Sequence, residues 1–161
     1  MPSIQDRYER TCCDCQRCKA GCRTMPASLA PGDIDTIAKH IGVEPDSEFI
    51  SNNFRASLGS EVQTTRGERL AVSTIVPAQH SNGRCVFLGS RDQCTIHEVS
   101  PFGCSRFNSC DEPETEEKQD ADHRREAFVK AIVSSIDYRL LWKWLKRKGK
   151  DVRPTRKGIN K

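Results

Sequence analysis

CCDCQRCKAGC, residues 12–22, holds five of the nine cysteines of this chain. Within it, Cys12, Cys15, Cys18 and Cys22 follow the spacing C-x2-C-x2-C-x3-C. Two intervening residues let consecutive thiolates curl around one metal, with backbone N–H groups left pointing at sulfur. Tetrahedral thiolate sites suit zinc and iron–sulfur alike. The stretch therefore predicts a metal site formed by these four cysteines and leaves the metal open.

The same spacing is the run that bacterial-type ferredoxins use, without the proline that usually follows the fourth cysteine. This favours an iron–sulfur cluster, of the 4Fe–4S type, with zinc as the alternative. Four thiolates carry more negative charge than either centre cancels, and basic side chains beside the cysteines can offset the remainder. These are Arg17, Lys19, Arg23 and Arg106.

A second group of cysteines lies at positions 85, 94, 104 and 110. Its gaps are too long for one metal knuckle, so the fold must bring these sulfurs together or bring them to the first group. We interpret Cys85, Cys94 and Cys104 as further metal ligands. Cys13 and Cys110 fit no clean ligand pair and are equally well read as small buried side chains. His97 is a weaker candidate ligand, and an ordinary strand position is the favoured interpretation.

The composition favours metal over a large apolar core. Only 35% of the 161 residues are apolar and 30% are charged, so burial alone is a lean source of stability. The polar start, MPSIQDRYER, has no apolar signal segment, and no apolar run reaches the ~20 residues that span a bilayer. We therefore expect a cytoplasmic protein without membrane contact, in a compartment where thiols stay reduced and cysteine clusters hold metals.

Three stretches of the second half carry a resemblance to a known family. They are CVFL at 85–88, CTIH at 94–97 and PFGCSRF at 101–107. With the first cysteine stretch they resemble the YkgJ-type cysteine-cluster family, also called CxxCxxCC, over roughly residues 10–110. The resemblance implies chelation of zinc or iron and a distant similarity to flagellin lysine-N-methylase. Cys18-x3-Cys22 stands where the family has a Cys-Cys pair, so the identity of the fourth ligand stays open.

We expect an α+β fold, a small metal-stabilised domain with short strands, a few short helices and one long C-terminal helix. Between Pro31 and Gly42, four apolar residues recur at the spacing of one helix face: Ile34, Ile37, Ala38 and Ile41. Strands are predicted at Leu70–Val76, 85–88 and 95–97, and residues 56–69 are predicted to be irregular. Ser100-Pro101 resembles an N-cap followed by proline, which would place Cys104 in the first turn of a helix.

The C-terminal helix is predicted over residues 122–147. Its apolar face comprises five side chains: Val129, Val133, Ile136, Leu140 and Trp144. We expect this face to pack on a cysteine-cluster metal-binding domain of residues 1–121, with residues 122–161 forming the helix and a basic tail. Residues 143–161 hold nine basic residues and one acid, which suits contact with an acidic protein partner or with nucleic acid.

Three functions are compatible with these features. The first is an iron–sulfur protein with a redox, electron-transfer or accessory role. The second is a zinc-stabilised interaction module, and the third is a protein-modifying enzyme of the lysine N-methylase type. No GxGxxG, Walker A or GxSxG motif is present, so the sequence indicates no catalytic residue and no nucleotide cofactor.

Overall fold

The structure, a computed structural model, describes residues 22–23, 27–63, 66–105 and 126–149. It divides the chain into two compact units. Met1–Phe54 with Val76–Glu112 form one, here called the cysteine unit, and Arg55–Ile75 with Pro113–Lys161 form the other, the hairpin unit. The predicted α+β class is confirmed. The predicted domain boundary at residues 121–122 lies outside the described residues.

The elements follow one another in a simple order. They are α1 (Asp33–Ile41), α2 (Ser47–Asn53), β1 (Phe54–Gln63), β2 (Arg69–Pro77), a 3₁₀ turn (His97–Val99), α3 (Phe102–Ser105) and α4 (Ile136–Lys148). Residues 126–134 are also helical. Within the ranges that the structure describes, no helix has the length and apolar content needed to cross a membrane.

Helix α1 lies within its predicted limits. Gly42 ends it at φ 84°, a left-handed conformation that glycine adopts without steric cost, and its N–H donates to the Ala38 carbonyl. Ile34 and Ile37 of the predicted apolar face are buried, as is Ala38. Ile41, in the last turn, is 45% exposed, so the predicted face extends one residue too far.

An aromatic cluster forms the core of the cysteine unit. Phe54 is fully buried at the end of α2, and its ring centroid lies 5.8 Å from that of Phe49 and 5.7 Å from that of Phe87. Edge-to-face and tilted contacts at this separation add to the burial of the rings themselves. Since Phe87 lies two residues beyond Cys85, this cluster supports the chain where the second group of cysteines begins.

The hairpin unit contains a two-stranded antiparallel sheet of β1 and β2. The strand predicted at Leu70–Val76 is confirmed as β2, with Val72 and Ile75 buried. The prediction that residues 56–69 are irregular is wrong for 56–63, because β1 extends to Gln63, and it is confirmed for 66–68, which form the turn before β2. Its polar residues have weak strand propensity, and pairing with β2 outweighs that propensity.

The C-terminal helix is interrupted at Ser135, contrary to the continuous helix predicted over 122–147. Ser135 has an extended backbone, φ −90° and ψ 106°, and its hydroxyl accepts the N–H of Tyr138 at 3.2 Å as the N-cap of α4. A break of this kind changes which residues share a face, so the predicted stripe does not form. Val133, Ile136 and Leu140 are 57%, 63% and 57% exposed.

Val129 of the predicted stripe is buried, together with four side chains outside that stripe. Phe128, Val129 and Ile132 are buried before the break, and Tyr138 and Leu145 after it. Two polar contacts join α4 to the hairpin: the Tyr138 hydroxyl accepts the N–H of Ile75 at 2.8 Å, and the Trp142 indole N–H donates to the Ser57 carbonyl at 2.8 Å. Helix α4 therefore packs within the hairpin unit. Ser57 and Ile75 belong to the predicted domain of residues 1–121, and the predicted packing of the helix on the cysteine-bearing part of that domain stays a prediction.

The interrupted helix predicts different costs for two leucines of α4. Leu145→Ala should lower the free energy of unfolding by about 2–5 kcal/mol, because Leu145 is 2% exposed and a cavity would remain. Leu140→Ala, the matched control, should change it by no more than about 0.5 kcal/mol, because Leu140 is mostly exposed. Denaturant unfolding monitored by circular dichroism measures both. Equal losses of unfolding free energy in the two variants would show that Leu140 is buried, as the continuous apolar stripe predicts.

Candidate metal centre

Cys85 opens a tight turn whose backbone points at its own sulfur. The N–H of Leu88 donates to the Cys85 carbonyl at 3.0 Å, which closes the turn. The N–H groups of Phe87 and Leu88 also bond to the Cys85 sulfur. Cys85 is 7% exposed and pairs with Gln79 in an isolated antiparallel bridge. The thiol is thus enclosed by its own turn.

Cys94 opens a second turn of the same design. The N–H of His97 approaches the Cys94 carbonyl at 3.4 Å, and the N–H of Ile96 bonds to the Cys94 sulfur. Ile96 is 1% exposed and occupies the position that Phe87 occupies in the first turn. An isolated bridge between Leu88 and Cys94 places the two turns side by side. Both turns therefore share the pattern of a cysteine followed two residues later by a buried apolar side chain.

These turns correct the predicted strands at 85–88 and 95–97. An extended strand directs its N–H groups sideways to a neighbouring strand, whereas here the N–H two residues after each cysteine bonds to sulfur. The apolar residues Phe87 and Ile96, which suggested strands, are buried beneath the turns instead. His97 begins the 3₁₀ turn and is half-buried, and its role as a ligand stays open.

Cys104 lies in the short helix α3, as Ser100-Pro101 predicted. The backbone N–H of Ala27 bonds to the Cys104 sulfur. The N–H of Gly103 donates to the Ser28 carbonyl at 2.9 Å. A Cβ at Gly103 would lie 2.6 Å from the Ala27 Cβ, so only glycine permits this approach. Residues 27–28 and α3 are therefore in close contact around the thiol.

Cys22 completes the described group of cysteines. Its carbonyl accepts the N–H of Cys85 at 2.7 Å, which joins the end of the first cysteine stretch to the first turn. Cys22, Cys85 and Cys94 lie close enough to Cys104 for their charges to act on its thiol. The structure thus brings one cysteine of the first group and three of the second into one region.

Burial governs the ionisation of these thiols. It is the main cause that raises the pKa of Cys85 to about 12, opposed by the N–H of Phe87 and assisted by the neighbouring Cys22. Burial likewise raises the pKa of Cys94 and that of Cys104. At neutral pH these groups are neutral thiols unless a cation offsets their charge. Binding a metal as thiolates would therefore release protons.

The donor set fits a thiophilic metal. Soft sulfur donors suit zinc and iron–sulfur clusters, and backbone N–H groups directed at sulfur are the outer contacts that support ligating thiolates. Within the described ranges, no three Cys, His, Asp or Glu side chains stand at the spacing of ligands to one ion. A closed site therefore requires the sulfurs to lie closer together, or further ligands. Cys12, Cys15 and Cys18, like Cys13 and Cys110, lie outside the described residues.

An ionic cluster lies beside the cysteines, and of its members only Arg23 was predicted there. Asp92 pairs with Arg23 and, at 2.6 Å, with Arg84, whose guanidinium also donates to the Gly89 carbonyl at 3.0 Å. The hydrogen bond from Arg23 and then that from Arg84 lower the pKa of Asp92, which keeps its carboxylate charged. The cluster connects the segment of Cys22 to the loop between Cys85 and Cys94. Arg84 directly precedes Cys85, and this adjacency was the available sequence signal.

Comparison with known protein families identifies a match. A model of the CxxCxxCC family, described as a zinc- or iron-chelating domain, matches residues 14–125, more than half of the chain. The match includes Cys15, Cys18 and all four cysteines that the structure brings together. No curated protein and no solved structure matches the chain significantly.

Two substitutions at Asp92 should separate the stability that comes from its charge from the stability that comes from its backbone conformation. Asp92 has a left-handed backbone, φ 58°, which asparagine tolerates better than alanine does. Asp92→Asn should lower the melting temperature at low salt, and the loss should shrink at about 1 M salt, where the Debye length falls to about 3 Å. Asp92→Ala should lower the melting temperature further, and this additional decrease should persist at about 1 M salt.

Thermal unfolding at neutral pH, with the bound metal retained, measures these shifts. Glu98→Gln is the matched control, because Glu98 is an exposed acid of the same unit. Identical melting temperatures for wild type, Asp92→Asn and Asp92→Ala would show that the ionic cluster does not stabilise the cysteine unit.

Proposed function

This chain belongs to the CxxCxxCC family of zinc- or iron-chelating domains, and we propose that it is an iron–sulfur protein with a redox, electron-transfer or accessory role. The proposed ligands come from both cysteine groups: Cys12, Cys15, Cys18, Cys22, Cys85, Cys94 and Cys104. The observation that carries the proposal is the convergence of four cysteines whose thiols are engaged by backbone N–H groups at Cys85, Cys94 and Cys104.

The N–H contacts favour a ligand role over a purely structural one. A buried neutral thiol is a weak hydrogen-bond acceptor, whereas a thiolate accepts N–H bonds strongly. Bonds from Phe87, Ile96 and Ala27 therefore stabilise the charged form that binds metal. Hydrogen bonds to sulfur also shift the reduction potential of an iron–sulfur cluster. When bound, such a cluster supplies one-electron redox chemistry.

Electrostatic balance supports the same role. Four thiolates in one region repel one another, and burial makes that repulsion stronger. Arg23 and Arg84 both pair with Asp92, which places two guanidinium groups beside the cysteines. Their positive charge and the metal together can offset the thiolates. The chain thus supplies the ligands and part of the compensating charge.

A zinc-stabilised interaction module is the second candidate. The observation that favours it is the number of cysteines in the described region: Cys22, Cys85, Cys94 and Cys104 would supply the four thiolates of a structural zinc site if their sulfurs moved closer together. In that function the basic residues after Lys143 would contact an acidic partner, in keeping with the exposed Lys146, Arg147 and Lys148 in the last turn of α4. The metal identity separates the two candidates.

Anaerobic purification tests the proposed function directly. We expect iron and acid-labile sulfide with a brown chromophore, and Cys104→Ser should lose most of both, because Cys104 is a proposed ligand. Cys13→Ser is the matched control and should retain them, because Cys13 breaks the regular spacing. Metal analysis and visible absorption measure the outcome. Stoichiometric zinc without iron or sulfide under these conditions would favour the interaction module instead.

Metal removal should loosen one unit selectively. All seven proposed ligands belong to the cysteine unit, so chelation should increase hydrogen exchange there, because metal binding free energy is folding free energy. We expect weaker but measurable protection over residues 76–105 and unchanged protection over 136–148. Hydrogen-exchange mass spectrometry with and without a chelator measures this. Unchanged exchange at 76–105 would contradict a structural role for the metal.

A further inference from the structure

Asp33 is a buried carboxylate for which the proposed metal centre has no assigned use. It is 3% exposed. Its Oδ2 atom accepts the N–H of Ala30 at 2.6 Å and the N–H of Phe102 at 3.0 Å. The two donors are 72 positions apart in the sequence. A single oxygen therefore joins two distant segments of the cysteine unit.

One of these segments carries Cys104, and the other donates an N–H to its sulfur. Phe102 is the first residue of α3, which carries Cys104 two positions later. Ala27 precedes Ala30 by three positions, and its N–H bonds to the Cys104 sulfur. The bond from Gly103 to the Ser28 carbonyl, 2.9 Å long, adds a second contact between the same segments. Asp33 thus holds both the helix that presents the sulfur and the segment that donates to it.

We propose that Asp33 is a positioning residue that sets the place of Cys104 as a ligand of the metal centre. The proposal rests on the proposed function for the ligand role of Cys104. Starting a helix does not by itself require a buried acid, since α2 begins at the exposed Asp46. A buried carboxylate is costly to desolvate unless hydrogen bonds compensate it, and here those bonds lead to Cys104. Because Asp33 belongs to a regular helix, it offers a fixed point for this arrangement.

Alkylation of the metal-free chain tests the positioning itself. Mass spectrometry gives the rates at which iodoacetamide modifies Cys104 and Cys94, and their ratio is the readout. Asp33→Ala should raise the ratio several-fold, because the contacts around Cys104 loosen. Asp33→Asn retains an oxygen that can accept both N–H groups, so it should stay near wild type.

A matched control separates positioning from general destabilisation. Ile37→Ala removes a fully buried side chain from the same helix. The side chain of Ile37 is apolar, so it makes no hydrogen bond to the segments around Cys104. This substitution should raise the rates at both cysteines and leave their ratio unchanged. An unchanged ratio in Asp33→Ala, or an equal rise in Ile37→Ala, overturns the proposal.

Cobalt binding tests whether the position of Cys104 that Asp33 sets is needed for Cys104 to bind the metal. The charge-transfer absorption from thiolate to Co²⁺ reports the number of sulfur ligands. Cys104→Ser should lower it by the share of one thiolate, Asp33→Ala should lower it by a similar amount, and the double variant should lose no more than either. Such non-additivity is expected when two residues act through one contact. Additive losses overturn the proposal.

The two measurements also separate the two hypotheses. A wild-type chain without thiolate absorption, together with a raised alkylation ratio in Asp33→Ala, overturns the metal centre and keeps the link between Asp33 and Cys104. A wild-type chain with that absorption and an unchanged ratio overturns the role of Asp33 and supports the centre.

Discussion

The enclosure of several thiols in one region is the constraint on which the cysteine unit depends. As neutral groups these thiols behave as small apolar side chains, and burial of Cys85 and Cys104 favours that form. As thiolates they repel one another in a poorly solvated region. A bound cation reverses the balance, because its charge compensates the sulfurs together. The same burial that keeps the metal-free thiols neutral therefore makes the metal-bound state electrostatically cooperative.

The cysteine turns show how a short chain meets this constraint. Each turn directs the N–H two residues after the cysteine at the sulfur and buries the side chain of that residue, Phe87 or Ile96. One local arrangement thus supplies a contact to sulfur and part of the apolar core. With 35% apolar residues in the chain, such double use reduces the need for a separate core beneath the site.

Local signals explain which features could be predicted from the sequence. Helix α1 and the helical position of Cys104 follow from turn residues and caps that act within a few positions. Strand β1 could not be recognised, because its polar residues become a strand through pairing with β2. The break at Ser135 did have a signal, a serine two positions before Asp137, but the apolar periodicity of Val133, Ile136 and Leu140 outweighed it in the interpretation. The grouping of Cys22 with the second cysteine group needed the tertiary fold, as did the bond that the Phe102 N–H donates to Asp33.

The two units rely on different sources of stability. A two-stranded hairpin is at best marginally stable alone in water, and in the hairpin unit α4 compensates for this through Tyr138 and Trp142. These side chains combine buried aromatic area with bonds to backbone groups of Ile75 and Ser57, which would otherwise need water or another strand. The proposed ligands all lie in the other unit, so metal can add there to the packing of the aromatic cluster, whereas the hairpin unit depends on packing and hydrogen bonds alone. This division follows from the positions of the cysteines in the chain, since none lies within the 55–75 segment or the described part of the C-terminal helices.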